Sequence, residues 1–333
     1  MNKAIHILIF TLLTFGFSVG VSAKTLKFAT LAPAGTTWMN EMQAGADRVK
    51  QRTEGRVKLK FYPGGVMGND QSVHRKIKIG QLHGGAFTQG GLAGVSSSVL
   101  VMGLPMMFRD LDEVNYVRER MDPIVKQEVE SGGFVLLGIS SGGFARILSK
   151  QPMQDLESLR NSKVWVPEGD GVGLTVFRAL GITPVSLPIA DVFTGLQTGL
   201  IETVPVNPTS AIAFQWHSST AYMTDVPITF LTGMLAIKKS VFDKLSDADQ
   251  AVLREEMAAV FKRLDELNRV DNEAAREALQ QQGITFVSPA PGEIDRWREI
   301  SEQSIDEMVS SGVVPGALVE KQRQILQQFR DQQ

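Results

Sequence analysis

Between Leu26 and Thr88 the chain alternates strand-like and helix-like runs at short intervals, which restricts it to a sheet covered by helices. Leu26 to Leu31 alternates as a strand, Thr36 or Thr37 can cap a helix from Trp38 to Thr53, and Val57 to Tyr62 makes a second strand. A helix from Asp70 to Ile79 then leads into a strand from Gly84 to Thr88. This βαβαβ opening predicts a parallel sheet buried on both faces. A polar helix from Arg109 to Glu130 and a buried-type strand from Phe134 to Ile139 follow, and the chain then reaches Gly142-Gly143, a flexible point. From there Phe144 to Ser149 is expected to cross into a second lobe, and the apolar run Ile228 to Ile237 to return as a long strand. Ser246 begins a stretch with helical periodicity to Gln282 that neither Gly nor Pro interrupts. That is long for a globular helix, and it is expected to span both lobes and restrain their hinge. Gly283 ends it, Ile284 to Val287 makes a short strand, and a final helix starts at Glu293.

Composition narrows the function. Lys3 precedes an apolar stretch from Ala4 to Gly20, and Val21-Ser22-Ala23 offers small residues for cleavage, so 1–23 reads as a secretory signal peptide. The apolar core is too short and too interrupted for a membrane anchor, and no second span follows, so the mature chain is expected to be soluble in the periplasm. Zero Cys excludes disulfides, thiol catalysis and Cys-based zinc sites, and leaves the fold to its core. With 43% hydrophobic residues and about 310 residues after cleavage, that core is ample and favours two lobes over one. A net charge of -2 from 34 basic and 36 acidic residues gives no strong field, so neither nucleic acid nor an anionic membrane is a predicted partner.

Catalytic patterns are poor. His74, His83 and His217 are scattered, with no pair at metal-ligand spacing, and Ser140-Ser141-Gly-Gly lacks the flanking glycine of a nucleophile elbow. The glycines at 84, 85, 90 and 91 form no dinucleotide fingerprint. No catalytic residue, metal or cofactor is predicted.

The segment from Ser162 to Asn207 is more informative. It runs Lys163-Val-Trp-Val-Pro-Glu-Gly-Asp170, then Arg178-Ala-Leu-Gly-Ile-Thr-Pro184, then Asp191-Val-Phe-Thr-Gly-Leu-Gln-Thr-Gly-Leu-Ile-Glu202, and closes on Asn207-Pro208. Val164 to Val166 reads as a buried strand stopped by Pro167, and Gly173 to Leu180 as a helix ended by Gly181. Asp191 caps a second helix, and Thr203 to Val206 reads as another strand. Trp165 and Asn207 would therefore emerge at strand ends, where open α/β sheets place their ligands.

This block resembles the extracytoplasmic solute-binding proteins of TRAP (tripartite ATP-independent periplasmic) transporters, the DctP-like family. Phe28-Ala-Thr-Leu-Ala-Pro33, Tyr62-Pro-Gly-Gly-Val-Met-Gly68, Leu104-Pro-Met-Met-Phe-Arg109 and Gly143-Phe-Ala-Arg146 fall in the family's order, so the resemblance covers nearly all of the mature chain. It implies an α/β, two-lobed periplasmic binding protein fold, type II-like, with the long helix spanning both lobes. The expected division is 24–143 with 232–270 in lobe I, and 144–231 with 271–333 in lobe II. It implies a receptor that closes over a small organic ligand, carboxylate-bearing in the usual family pattern, and delivers it to TRAP membrane permease subunits. A sensory binding protein, or a periplasmic enzyme on the same scaffold, are the alternatives.

Carried over residue by residue, the resemblance places Arg146 in the cleft as a carboxylate fork and Asn207 beside it to orient the ligand. The arginine that most members place before Val-Pro is Trp165 here, so a charged fork has become an apolar ring with one donor. Trp165 is either core or a stacking face for the ligand. Glu168 and Asp170 either cap the following helix or, with Trp165, meet a cationic part of the ligand. Trp38, Phe87, Gln89 and Phe108 are candidates for the first-lobe wall and Trp216 for the second, each set against ordinary packing.

Overall fold

The computed structural model describes residues 23–333; the signal-peptide reading of 1–23 therefore lies, but for its last residue, outside the described residues. Nine strands form the frame: β1 (Lys24–Ala29), β2 (Val57–Tyr62), β3 (Gly84–Thr88), β4 (Phe134–Ser149), β5 (Trp165–Pro167), β6 (Val185–Leu187), β7 (Thr203–Val206), β8 (Tyr222–Lys238) and β9 (Thr285–Val287). The main sheet runs β2-β1-β3-β8-β4-β7, with β9 paired to the start of β8, while β5 and β6 form a parallel pair beside it. The opening is parallel as its alternation requires, with Lys24–Ala29 in register with Val57–Tyr62. The whole sheet is mixed, because β8 inserts antiparallel between β3 and β4.

Two long strands carry the architecture. β4 and β8 pair from Phe134 opposite Lys238 to Ser149 opposite Tyr222, so both run through the first lobe and into the second. The sequence broke β4 at Gly142-Gly143; the structure keeps the strand and spends the glycines on an irregularity in its pairing, between Ser141 and Gly143. Gly143 has φ of 84°, a left-handed conformation that glycine adopts freely. Each lobe has its own apolar cluster on these strands: Leu26, Phe28, Leu137, Leu235 and Phe261 in the first, and Leu148, Trp165, Leu196, Val204 and Met223 in the second.

The helix Asp247–Gln281 is the 35-residue element foreseen, capped by the Ser246 side chain, which accepts from Asp249 N. At a rise of 1.5 Å per residue it is about 50 Å long, enough to cross both lobes. Leu253, Met257, Val260, Phe261 and Leu264 pack into the first-lobe cluster, while Leu279, about four turns on, belongs to the second. The chain end does not stay with lobe II as 271–333 would require. Helix Gly316–Arg330 lies on helix Leu111–Ser131 of the first lobe, where Arg330 Nε donates to buried Glu113 at 2.7 Å and Ile325 and Leu326 join that lobe's core. The reason is its apolar face, on which Val319, Ile325 and Leu326 join the cluster of Val114, Val117 and Met121.

Candidate functional site

The two strands cross between the lobes at Ser140 to Gly142, and the long helix pins them there. Asp265 accepts the Ser141 N–H, Asn268 Nδ2 donates to Ser141 O, and Asn272 Nδ2 donates to Gly142 O at 3.2 Å. Asn207 Nδ2 donates to the same Gly142 carbonyl from the second lobe. Behind this joint Arg118, only 7% exposed, donates to Ile139 O at 2.8 Å and pairs with Asp122 and Asp265, each at 3.0 Å.

In front of the joint a cleft of about 450 Å³ opens between the lobes. The first lobe contributes Thr30 to Pro33, Trp38, Phe87 to Gly90 and Met106; the second contributes Ala145, Ile147, Trp165 to Pro167, Asp170, Phe177, Phe214 and Trp216. Its floor is Ser140 to Gly142 with Leu231 to Gly233, and Asn268, Asp271 and Asn272 enter from the long helix. The lining is mostly apolar, with hydroxyl and amide groups at intervals, the usual make-up of a small-molecule site. The lobes meet at its rim: Asn69 Nδ2 donates to Glu168 Oε2 at 2.7 Å.

Seven of the ten residues singled out in the sequence line this cleft: Trp38, Phe87, Gln89, Trp165, Asp170, Asn207 and Trp216. Trp165 sits at the start of β5, 3% exposed, with its Nε1 donating to Leu187 O at 3.0 Å. Its ring meets Trp216 edge-on at 5.3 Å, and Phe214 stacks on Trp216 at 5.4 Å, so three rings make one wall. Asp170 caps the helix Gly171–Ala179 by accepting from Gly173 N at 3.0 Å, and burial pushes its carboxyl above the ordinary range. Asn207 has both ends of its amide engaged, one on Gly142 O and the other on Ser210 N as the cap of helix Pro208–Ala213. Gln89 is 8% exposed, and its long 3.4 Å bond to Phe230 O leaves the amide weakly held.

Three of the ten lie elsewhere. Arg146 stands between Ala145 and Ile147, which face the cleft, so strand alternation turns it to the opposite side. There its Nε donates to Asp225 Oδ1 at 2.8 Å, and Arg276 of the long helix holds the other oxygen. Burial alone would raise the Asp225 carboxyl, but the two guanidiniums hold it below the ordinary range. Glu168 is exposed at the rim on Asn69, and Phe108 is 3% exposed in the first-lobe core, its ring edge-on to Phe230 at 6.4 Å.

The sequence reading missed Thr232, Thr209 and the Asn268, Asp271, Asn272 face of the long helix. The last was visible as three polar residues at i, i+3 and i+4, one stripe of a helix. Thr232 was hidden as one hydroxyl in an apolar strand.

Two α/β lobes joined by paired strands, with a buried site at the joint, define a binding protein that takes its ligand between lobes. The chain belongs to the bacterial extracellular solute-binding proteins, family 7 (DctP), whose sequence profile matches residues 28–311. It is 22% identical over 316 residues to the sialic acid-binding periplasmic protein SiaP of Vibrio cholerae, covering 93% of this chain and 96% of that one. The 2,3-diketo-L-gulonate-binding periplasmic protein YiaO of Escherichia coli is 22% identical over 249 residues, 73% of this chain and 74% of YiaO. A 25% identical stretch of YiiZ from Salmonella typhimurium spans 64% of that protein. The fold matches the crystal structure of the sugar acid binding protein DctPAm from Advenella mimigardefordensis in complex with galactonate, with a TM-score of 0.85, 18% identity, and 92% and 98% of the two chains covered. Among the described residues no helix is long and apolar enough to cross a membrane.

Proposed function

We propose that this chain is the periplasmic receptor of a TRAP transporter, exported through residues 1–23, which captures one small organic ligand in the interlobe cleft and delivers it to the membrane permease without catalysis. The observation that carries this reading is the joint. One carbonyl, Gly142 O, is held by Asn207 from the second lobe and by Asn272 from the helix that spans both lobes. A change in the angle between the lobes must therefore reset groups that themselves line the cleft. A ligand that binds better to the closed arrangement shifts the hinge equilibrium toward it, and closure is what a permease can read. The named ligands of the relatives are organic acids, which makes acids the precedent for a small, hydrogen-bonding solute here.

Deleting the chain in its native host should abolish energy-coupled uptake of the radiolabelled compound that most stabilises the mature protein, and supplying the exported chain in trans should restore it. Uptake that persists in the deletion strain would refute the transport role.

A further inference from the structure

The cleft is built without a positive charge. Among the described residues no Lys, Arg or His lines it, and its two ionisable side chains, Asp170 and Asp271, are both acidic. An anionic ligand would enter facing like charge with no counter-ion, and an ion buried without a partner is strongly disfavoured. What the walls offer instead is neutral. Thr232 is 5% exposed, and its hydroxyl has no protein partner; the buried hydroxyl of Thr209, on the second lobe, has none either. Both residues line the cleft, and a turn about the Cα–Cβ bond would bring such an unpartnered hydroxyl to a solute that fills it. Trp165, Trp216 and Phe214 add a flat apolar wall with Trp165 Nε1 already used on Leu187.

Resting on the receptor reading above, we propose that the solute is an uncharged molecule, an apolar ring or chain packed on the Trp165 and Trp216 wall and hydrogen-bonded by Thr209, Thr232 and Gln89. A cationic solute is disfavoured because the Asp170 carboxylate is already engaged as a helix cap, accepting the Gly173 N–H, which weakens it as a counter-ion.

Two sets of matched probes decide the charge: benzamide, benzoate and benzamidine, and D-galactose, D-galacturonate and D-galactosamine, each followed by thermal unfolding and calorimetry on the mature chain at neutral pH. The neutral member of the set that fits is expected to bind at least tenfold tighter than its charged partners. Trp165→Arg, which supplies a guanidinium fork, should shift preference toward the acid by tenfold or more. Because Trp165 is buried and that variant can fail to fold, Thr232→Val serves beside it and should weaken the neutral probe about tenfold. Tightest binding of the acids to the unaltered chain would overturn the proposal and leave the receptor reading intact. Tightest binding of the cations would overturn it in favour of Asp170 as counter-ion. If no probe of either set altered stability of any of the three proteins, the receptor reading of this cleft would fail with it.

Discussion

Arg118→Met should lower unfolding stability by about 3–5 kcal/mol at pH 8, the loss typical of stripping one partner from a buried ion pair. Arg118 is 7% exposed and serves Asp122, Asp265 and Ile139 O together. Methionine keeps most of its stem and none of its charge, which leaves Asp122 enclosed with only the weaker pull of Lys126. Burial already pushes the Asp122 carboxyl up, and the Arg118 guanidinium is the largest influence pulling it back. In the variant that restraint is gone, so the folded-state value rises further above the unfolded one. An acid raised in this way takes up a proton more readily when folded, so stability is recovered as pH falls through the raised value. The deficit should therefore be smaller at pH 5 than at pH 8. Urea unfolding at both pH values checks it, and a loss below about 1 kcal/mol at each would mean that the cluster is not holding the joint. Because Asp265 also accepts the Ser141 N–H at the crossing of the lobes, the same variant should loosen amide protection there first.

A second large effect is expected where the long helix presses on β4. A β-carbon at Gly138 would overlap the Phe261 ring, which is itself buried in the first-lobe core. Gly138→Ala should cost about 2–3 kcal/mol, the upper part of the range for overpacking a fixed core. Phe261→Ala alone should cost about 3–5 kcal/mol through the cavity it leaves. The double variant should be more stable than the sum of the two losses by more than 1 kcal/mol, because the added methyl has lost its obstacle. Simple additivity in denaturant unfolding would show that the strand and helix are not in contact as described.

These two seams mark how far the sequence could be read. β2 and β3 appear with the boundaries that alternation implied, and the Ser246 cap and uninterrupted run define the long helix to within a residue at either end. Local pattern suffices for such elements, because period and capping are local properties. The mixed order of the sheet was not legible, since which strand inserts beside β3 is settled by packing between residues far apart in the chain. The same limit governs the site. Of the seven chosen residues in the cleft, Gln89, Asp170 and Asn207 follow the ends of β3, β5 and β7, where topology opens a crevice. Arg146 shows the complementary difficulty: in a strand, neighbours face opposite sides, and nothing local states whether Ala145 or Arg146 faces the ligand. Asn207-Pro208 is equally double, as an amide that can meet a solute is also the ordinary cap of the helix that Pro208 begins.

The central claim is that the ligand enters between lobes that must open to admit it, and the lack of cysteine makes it directly testable. Asn69→Cys and Glu168→Cys place the chain's only two thiols on the pair that meets across the rim, where a short bis-maleimide can join them. Calorimetry with the tightest probe should give one site per chain before cross-linking and no measurable binding after the empty protein is sealed. Equal affinity in the sealed and unsealed forms would place the binding site outside the cleft and contradict the account.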